Sequence, residues 1–219
     1  MGSVDEAVRL HNAVVLLGSF PALAEASLVV KKGEIVLISG ANGAGKTTLL
    51  RLCAGLVPLA RGEATVLGFN LATQRKEAQA HVGMLGHANG LYLDLTAQEN
   101  LQFWGAVVGA SAQEIALSAQ RMGLHTRLLG TTVAKMSAGQ RRRTALAILI
   151  IRRASLWLLD EPHAGLDAAG RDEIDNILRE ATSAGATVIV ASHELERAGA
   201  LATRRIEVVG GAIVERGAQ

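Results

Sequence analysis

Four short, nearly unbroken apolar runs punctuate the chain: EIVLISG (34–40), HVGMLGH (81–87), SLWLLDE (155–161) and ATVIVAS (186–192). Their length and β-branched content predict strands, and their lack of alternation predicts strands covered on both faces. Longer helical patterns lie between them, the mark of an α/β fold with a mostly parallel sheet. Segments 8–17 and 26–31 predict an antiparallel β edge, and RRIEVVGGAIVERG (204–217) predicts a hairpin turning at Gly210-Gly211.

From Thr96 to Ile151 the pattern is helical throughout. Thr96 with Glu99, Ser111 with Glu114 and Ser137 with Gln140 each form a capping box, in which side chain and backbone satisfy each other's polar groups at a helix start. The chain therefore reads as one domain, 1–219. Residues 1–87 and 152–219 form its α/β core, and 88–151 an inserted helical subdomain.

Composition narrows the function. A 49% hydrophobic, 19% charged chain of 219 residues fills a sizeable core. Its net charge of +2 is too even to point to nucleic acid, and 3% aromatic residues leave no stacking platform for RNA, despite Arg141–Arg143. The single cysteine, Cys53, rules out an internal disulfide and sits in an apolar stretch as a core residue. The longest apolar run, ALAILII (145–151), falls short of the roughly 18 residues of a membrane span. The acidic opening MGSVDEAVRLHN predicts no secretion signal, and Glu6 breaks the myristoylation pattern. A soluble chain is expected.

KMSAGQRRRTALAILIIRR (135–153) poses a problem. Gly139 in a first helical turn costs stability, and three arginines face the positive end of the helix dipole. Such a start is either badly written or built to receive an anion.

GANGAGKTT (40–48) follows a predicted strand and opens a predicted helix, matching the phosphate-binding pattern G-x-x-x-x-G-K-[ST] in its proper context. Gly40, Gly43 and Gly45 let backbone N–H groups turn inward around phosphate oxygens, with Asn42, Ala44 and Thr48 completing the loop. Lys46 is placed to reach the β- and γ-phosphates, and the Thr47 hydroxyl to ligate Mg²⁺. A nucleoside triphosphate is the expected ligand. Asp160 and Glu161 then emerge from an apolar strand at its C-terminal edge, where such sheets bind ligands. Asp160 suits Mg²⁺, and Glu161 suits a general base for the attacking water.

The order GANGAGKTT, SAGQ, LLDEP, AGLD (164–167), ASH (191–193) resembles the nucleotide-binding subunit of ATP-binding-cassette transporters over nearly the whole chain. The resemblance implies a P-loop NTPase core and a head-to-tail homodimer. In it, Ser137, Gly139 and Gln140 of one copy cap the γ-phosphate held by the other copy's cradle. It also implies that His193 contacts that phosphate, that Asp167 lies at the dimer interface, and that a separate integral membrane subunit receives the motion. Asp167 equally suits the N-cap of the following helix. The implied location is cytoplasmic, peripheral on the cytoplasmic face of the inner membrane.

Three positions depart from that family's pattern. Ala138 replaces a glycine, and Leu17 stands where an aromatic stacks on adenine, with Phe20 nearby. His87 stands where the family has a Gln offering oxygen to Mg²⁺ and the attacking water; a neutral imidazole nitrogen serves the same end. The His in GHANGL, with LTAQENL and SAGQ, is similar to the ATP-binding subunit of the cytochrome c maturation haem exporter, and compact length agrees. The alternatives are the ATPase of another exporter (of lipid, drug or ion), a soluble cassette protein outside transport, and a P-loop kinase. His11, His81, His125 and His163 share no metal-ligand spacing and read as structural or exposed. Phe103 and Trp104 read as core, or alternatively as facing a partner.

Overall fold

Alternation builds the first sheet. In β1 (Glu6–Leu17) Val8, Leu10, Ala13 and Val15 point inward, and the register slips between Leu10 and Ala13. Asn12, at φ 47°, is the extra residue that keeps both halves of the strand facing one core. β2 (Phe20–Lys31) pairs antiparallel with β1 along its length, with Glu25 at φ 51°. It begins six residues before the predicted segment, because Pro21 and Glu25 hide its alternation. β4 (Arg61–Val66) and β5 (Phe69–Asn70), which the apolar pattern did not reveal, complete the order β2-β1-β4-β5.

The computed structural model describes residues 5–86 and 88–214. Its second sheet has the order β10-β9-β3-β8-β7-β6. Its centre is the parallel trio β3 (Ile35–Ser39), β8 (Thr187–Ala191) and β7 (Leu156–Asp160), in which every residue is buried. β9 (Arg204–Val209) adds in parallel and turns through Gly210-Gly211 into antiparallel β10 (Ala212–Val214), as the sequence predicts. β6 (Val82–Leu85) lies at the opposite edge. α1 (Lys46–Cys53) buries Leu49, Leu50, Leu52 and Cys53 in a core that also takes in β1, β2, β3, β7 and β8. α2 (Arg75–Ala80) and α8 (Leu195–Leu201) finish this part. Among the described residues no helix is long and apolar enough to cross a membrane.

The described chain forms two compact units. The first comprises the chain up to Met84, Ala154–Glu161 and the chain from Leu178; the second comprises Leu85–Arg153 and Pro162–Ile177. The second holds α3 (Ala97–Val108), α4 (Ala112–Arg121), α5 (Thr126–Leu129), a 3-10 turn at Val133–Lys135 and α6 (Ala138–Arg152). All three capping boxes form, at Thr96, Ser111 and Ser137. The first half of α7 (Ala168–Ser183) belongs to this unit, a stretch the sequence reading placed in the α/β core. Side chains explain the difference: Arg121 pairs with Glu173 at 2.8 Å, and Arg143 with Asp167 at 2.5 Å.

Candidate nucleotide site

The loop after β3 is shaped by what its glycines avoid. A Cβ on Gly40, at φ 143°, would stand 2.3 Å from the Val208 carbonyl oxygen, and one on Gly45, at φ 111°, 2.6 Å from that of Ala22. Gly43, at φ 76°, meets nothing within 4 Å and is required by conformation alone. The loop is braced from behind. Gly211 N donates to Ala44 O at 2.9 Å, and Ala24 N donates to Gly211 O at 3.0 Å. Gly45 caps α1 with no side-chain hydrogen bond, so the first-turn N–H groups have no side-chain cap. The buried Lys46 ammonium folds back to donate to Gly40 O at 2.8 Å and Ala41 O at 2.9 Å. Glycine-shaped backbone, a helix N-terminus and a cation thus converge on one cradle, a constellation that binds phosphate.

At the end of β7, Asp160 accepts a hydrogen bond from the Thr47 hydroxyl at 2.7 Å, which sets two hard oxygen donors side by side. Glu161 follows at φ 50°, left-handed for a non-glycine residue and directly before Pro162. Its N–H is held by Ala191 O at 2.8 Å. Its carboxylate accepts from His193 N at 3.0 Å and the Ser192 hydroxyl at 3.3 Å, and the His193 ring nitrogen lies 3.7 Å away. Strain of this kind persists only where neighbours over-determine it, here the two strand ends. The first unit therefore gathers residues 40–48, Asp160, Glu161 and His193 at the C-terminal ends of β3, β7 and β8.

The second unit gathers Ser137, Gly139, Gln140 and Asp167. Ser137 Oγ accepts from Gln140 N at 3.2 Å, and Ser137 N donates to Gln140 Oε1 at 2.9 Å. Asp167 receives Arg143 and also caps α7 through Gly170 N at 3.1 Å. The arginine run finds acceptors within the chain. Arg141 donates to Val133 O at 3.0 Å and Ala134 O at 2.7 Å; Arg142 reaches Gly86, Asn89 and Pro162.

A family model described as ABC transporter matches residues 23–164. ABC transporter ATP-binding protein NatA of Bacillus subtilis is 35% identical over 202 residues, covering 90% of this chain and 82% of that protein. Cytochrome c biogenesis ATP-binding export protein CcmA of Bordetella bronchiseptica is 36% identical over 210 residues, covering 95% and 93%. This chain belongs to the ABC transporter family. It is an ATPase and the ATP-binding subunit of a transporter. Solved structures agree on the fold of this ABC protein. An ATP-binding subunit of an ABC transporter superposes with a TM-score of 0.87 at 23% identity, over 94% of this chain and 88% of that one. A dimeric ATP-binding cassette in a post-hydrolysis state with ADP and Pi gives 0.84 at 23%, over 96% and 100%.

The other sequence-level candidates divide. His87 lies outside the described residues. Leu17 and Phe20, at the ends of β1 and β2, are 51% and 71% exposed, in the hairpin whose Ala22 carbonyl packs on Gly45. Cys53 is fully buried, and burial pushes its thiol up to about 12, an inert core residue as read. His11, His81 and His125 are exposed, whereas His163 is buried, with its Nε2 2.8 Å from Asp175. Phe103 is 42% exposed, correcting its assignment to the core. Sequence places Gly211 in a hairpin turn, Arg142 in an arginine run and Ser192 within ASH, but neither their contacts nor Asn89 were foreseen, because each acts on a segment distant in sequence.

Proposed function

We propose that this chain drives an exporter as a head-to-tail homodimer, with each ATP held between the cradle of one copy and Ser137, Gly139 and Gln140 of the other. The observation that carries the reading is the fixed carboxylate of Glu161, held in left-handed backbone by His193 N and Ser192 beside the Thr47–Asp160 pair. Thr47 and Asp160 would hold Mg²⁺, which on binding neutralises charge on the transferring phosphoryl group; two hard oxygens beside a triphosphate suit this ion. Glu161 orients water and takes its proton, Lys46 binds the phosphates, and His193 contacts the γ-phosphate. Asp167 lies at the interface between copies, and His87 serves Mg²⁺ and the attacking water. Self-complementarity about a two-fold axis completes both sites with one surface.

The motion passes to an integral membrane subunit, and the chain works at the cytoplasmic face of the inner membrane. The exposed apolar side chains Tyr92, Leu93, Phe103 and Val107 of the second unit suit that contact. Haem, in cytochrome c biogenesis, is the favoured cargo, on the similarity to CcmA. The similarity to NatA keeps a different cargo as the second reading.

Glu161→Gln tests the chemistry. ATP binding should persist while turnover falls by about 10²–10⁴, the usual worth of a general base. Parent-rate hydrolysis by that variant would remove Glu161 from the role.

A further inference from the structure

We infer that Arg142 is a positioning residue for hydrolysis, tying Gly86 and Asn89 to Pro162, the residue bonded to Glu161, so that neither side moves without the other. Its side chain extends from α6 and the residue is only 5% exposed. Nη1 donates to Gly86 O and to Asn89 Oδ1, both at 3.0 Å, while Nε donates to Pro162 O at 3.4 Å. Two loops more than seventy residues apart in sequence thus meet on one planar group. A guanidinium suits this place because its donors point from different nitrogens in fixed directions; a lysine ammonium concentrates its donors on one atom.

Both ends of the tie are conformationally special. Asn89 sits at φ 56°, and its N–H returns to Gly86 O at 3.3 Å, so one carbonyl closes the turn and receives Arg142. Pro162 is bonded directly to Glu161, whose φ of 50° leaves little freedom to absorb a displaced Pro162 carbonyl. The same arginine stands five residues beyond Ser137 on α6, so the helix that presents the Ser137–Gln140 element is the anchor of the tie. The inference rests on the proposed role of Glu161 for its catalytic meaning; the tie itself rests on geometry.

The test is a double-mutant cycle on the full chain, reading kcat for ATP hydrolysis, ATP affinity and Tm. Arg142→Lys keeps the charge and removes the fork. Asn89→Gly removes the acceptor side chain while suiting the positive φ. Each should lower kcat by about tenfold with ATP affinity changed less than about threefold, and the double variant should lose no more than the larger single loss. Parent-like kcat in either single variant, or losses that multiply in the double, would overturn the inference. If Arg142→Lys does not fold, Asn89→Gly at unchanged Tm decides by its kcat alone. Glu161→Gln measured alongside separates the two claims, since its turnover reports on the base and the cycle reports on the tie.

Discussion

The Thr47 hydroxyl donates to Asp160 at 2.7 Å, joining the first turn of α1 to the end of β7. A threonine that orients a carboxylate in this way must release its proton direction when a cation arrives, because a bound metal needs the oxygen lone pairs of both. Thr47→Val, which keeps the shape and removes the oxygen, should lower Mg²⁺-dependent turnover by about 10²-fold or more. Thr47→Ser should stay near the parent. Hydrolysis measured against Mg²⁺ concentration checks this, and a parent-like titration for the valine variant would exclude Thr47 as a ligand.

The turn at Gly210-Gly211 braces the phosphate loop from behind. Gly211 lies at φ 82°, and a Cβ there would come within 3.0 Å of Ala24 N and 3.1 Å of Ala22 O, both backbone. Gly210, at φ 57°, faces open space. Gly211→Ala should therefore shift the Ala44 carbonyl it holds and raise KM for ATP by about 3–10-fold, with a smaller change in kcat. Gly210→Ala carries backbone strain alone and should change KM less. Equal KM values for the two variants would separate the hairpin from the cradle.

Sequence alone carried the centre of the fold and the cradle, because both are written locally. Unbroken apolar runs identify β3, β7 and β8, and G-x-x-x-x-G-K-T sits between a strand and a helix. β4 and β5 escaped because Gly62 and Glu63 break any alternation. A Cβ at Gly62 would lie 2.2 Å from Asn12 O, so this glycine answers to a bulge fifty residues upstream. The arginines after Gln140 look anomalous in a helix dipole for the same reason: their acceptors at Pro162, Gly86 and Asp167 come from other segments. The family pattern predicts a glycine at 139 for a ligand; the geometry adds a reason within the chain.

The capping boxes at Thr96 and Ser111 make the second unit sensitive to acid. The Thr96 backbone N–H, then its hydroxyl, hold the Glu99 carboxyl below its ordinary range; Ser111 does the same to Glu114, with Arg153 adding to it. A depressed folded value means stability present above the unfolded pKa of about 4.3 and lost as pH falls through the folded one. Glu99→Gln with Glu114→Gln keeps a capping side chain at each position and removes the titration. Thermal melts followed by circular dichroism from pH 7 to pH 3 should show a flatter Tm profile for the double variant. Identical profiles would mean the two carboxylates carry no acid sensitivity.

Gly139 is fixed by a neighbour as well as by any ligand. A Cβ there would stand 2.5 Å from the Gly165 carbonyl oxygen, while the adjacent Ala138 is exposed, which explains why a methyl is tolerated at 138. In Gly139→Ala either the start of α6 or the 164–167 loop must yield, and Asp167 is paired to Arg143 in that same loop. Overpacking against backbone costs about 1–3 kcal/mol, so Tm should fall, and turnover with it. Gly199→Ala supplies the contrast. That glycine lies exposed in α8 with nothing within 4 Å, so alanine should add about 0.5–1 kcal/mol of stability and leave turnover unchanged. Melting and steady-state hydrolysis of the two variants together separate glycine as a packing requirement from glycine as mere helix cost. A Gly139→Ala protein with parent Tm and parent turnover would show that the Gly165 contact relaxes freely.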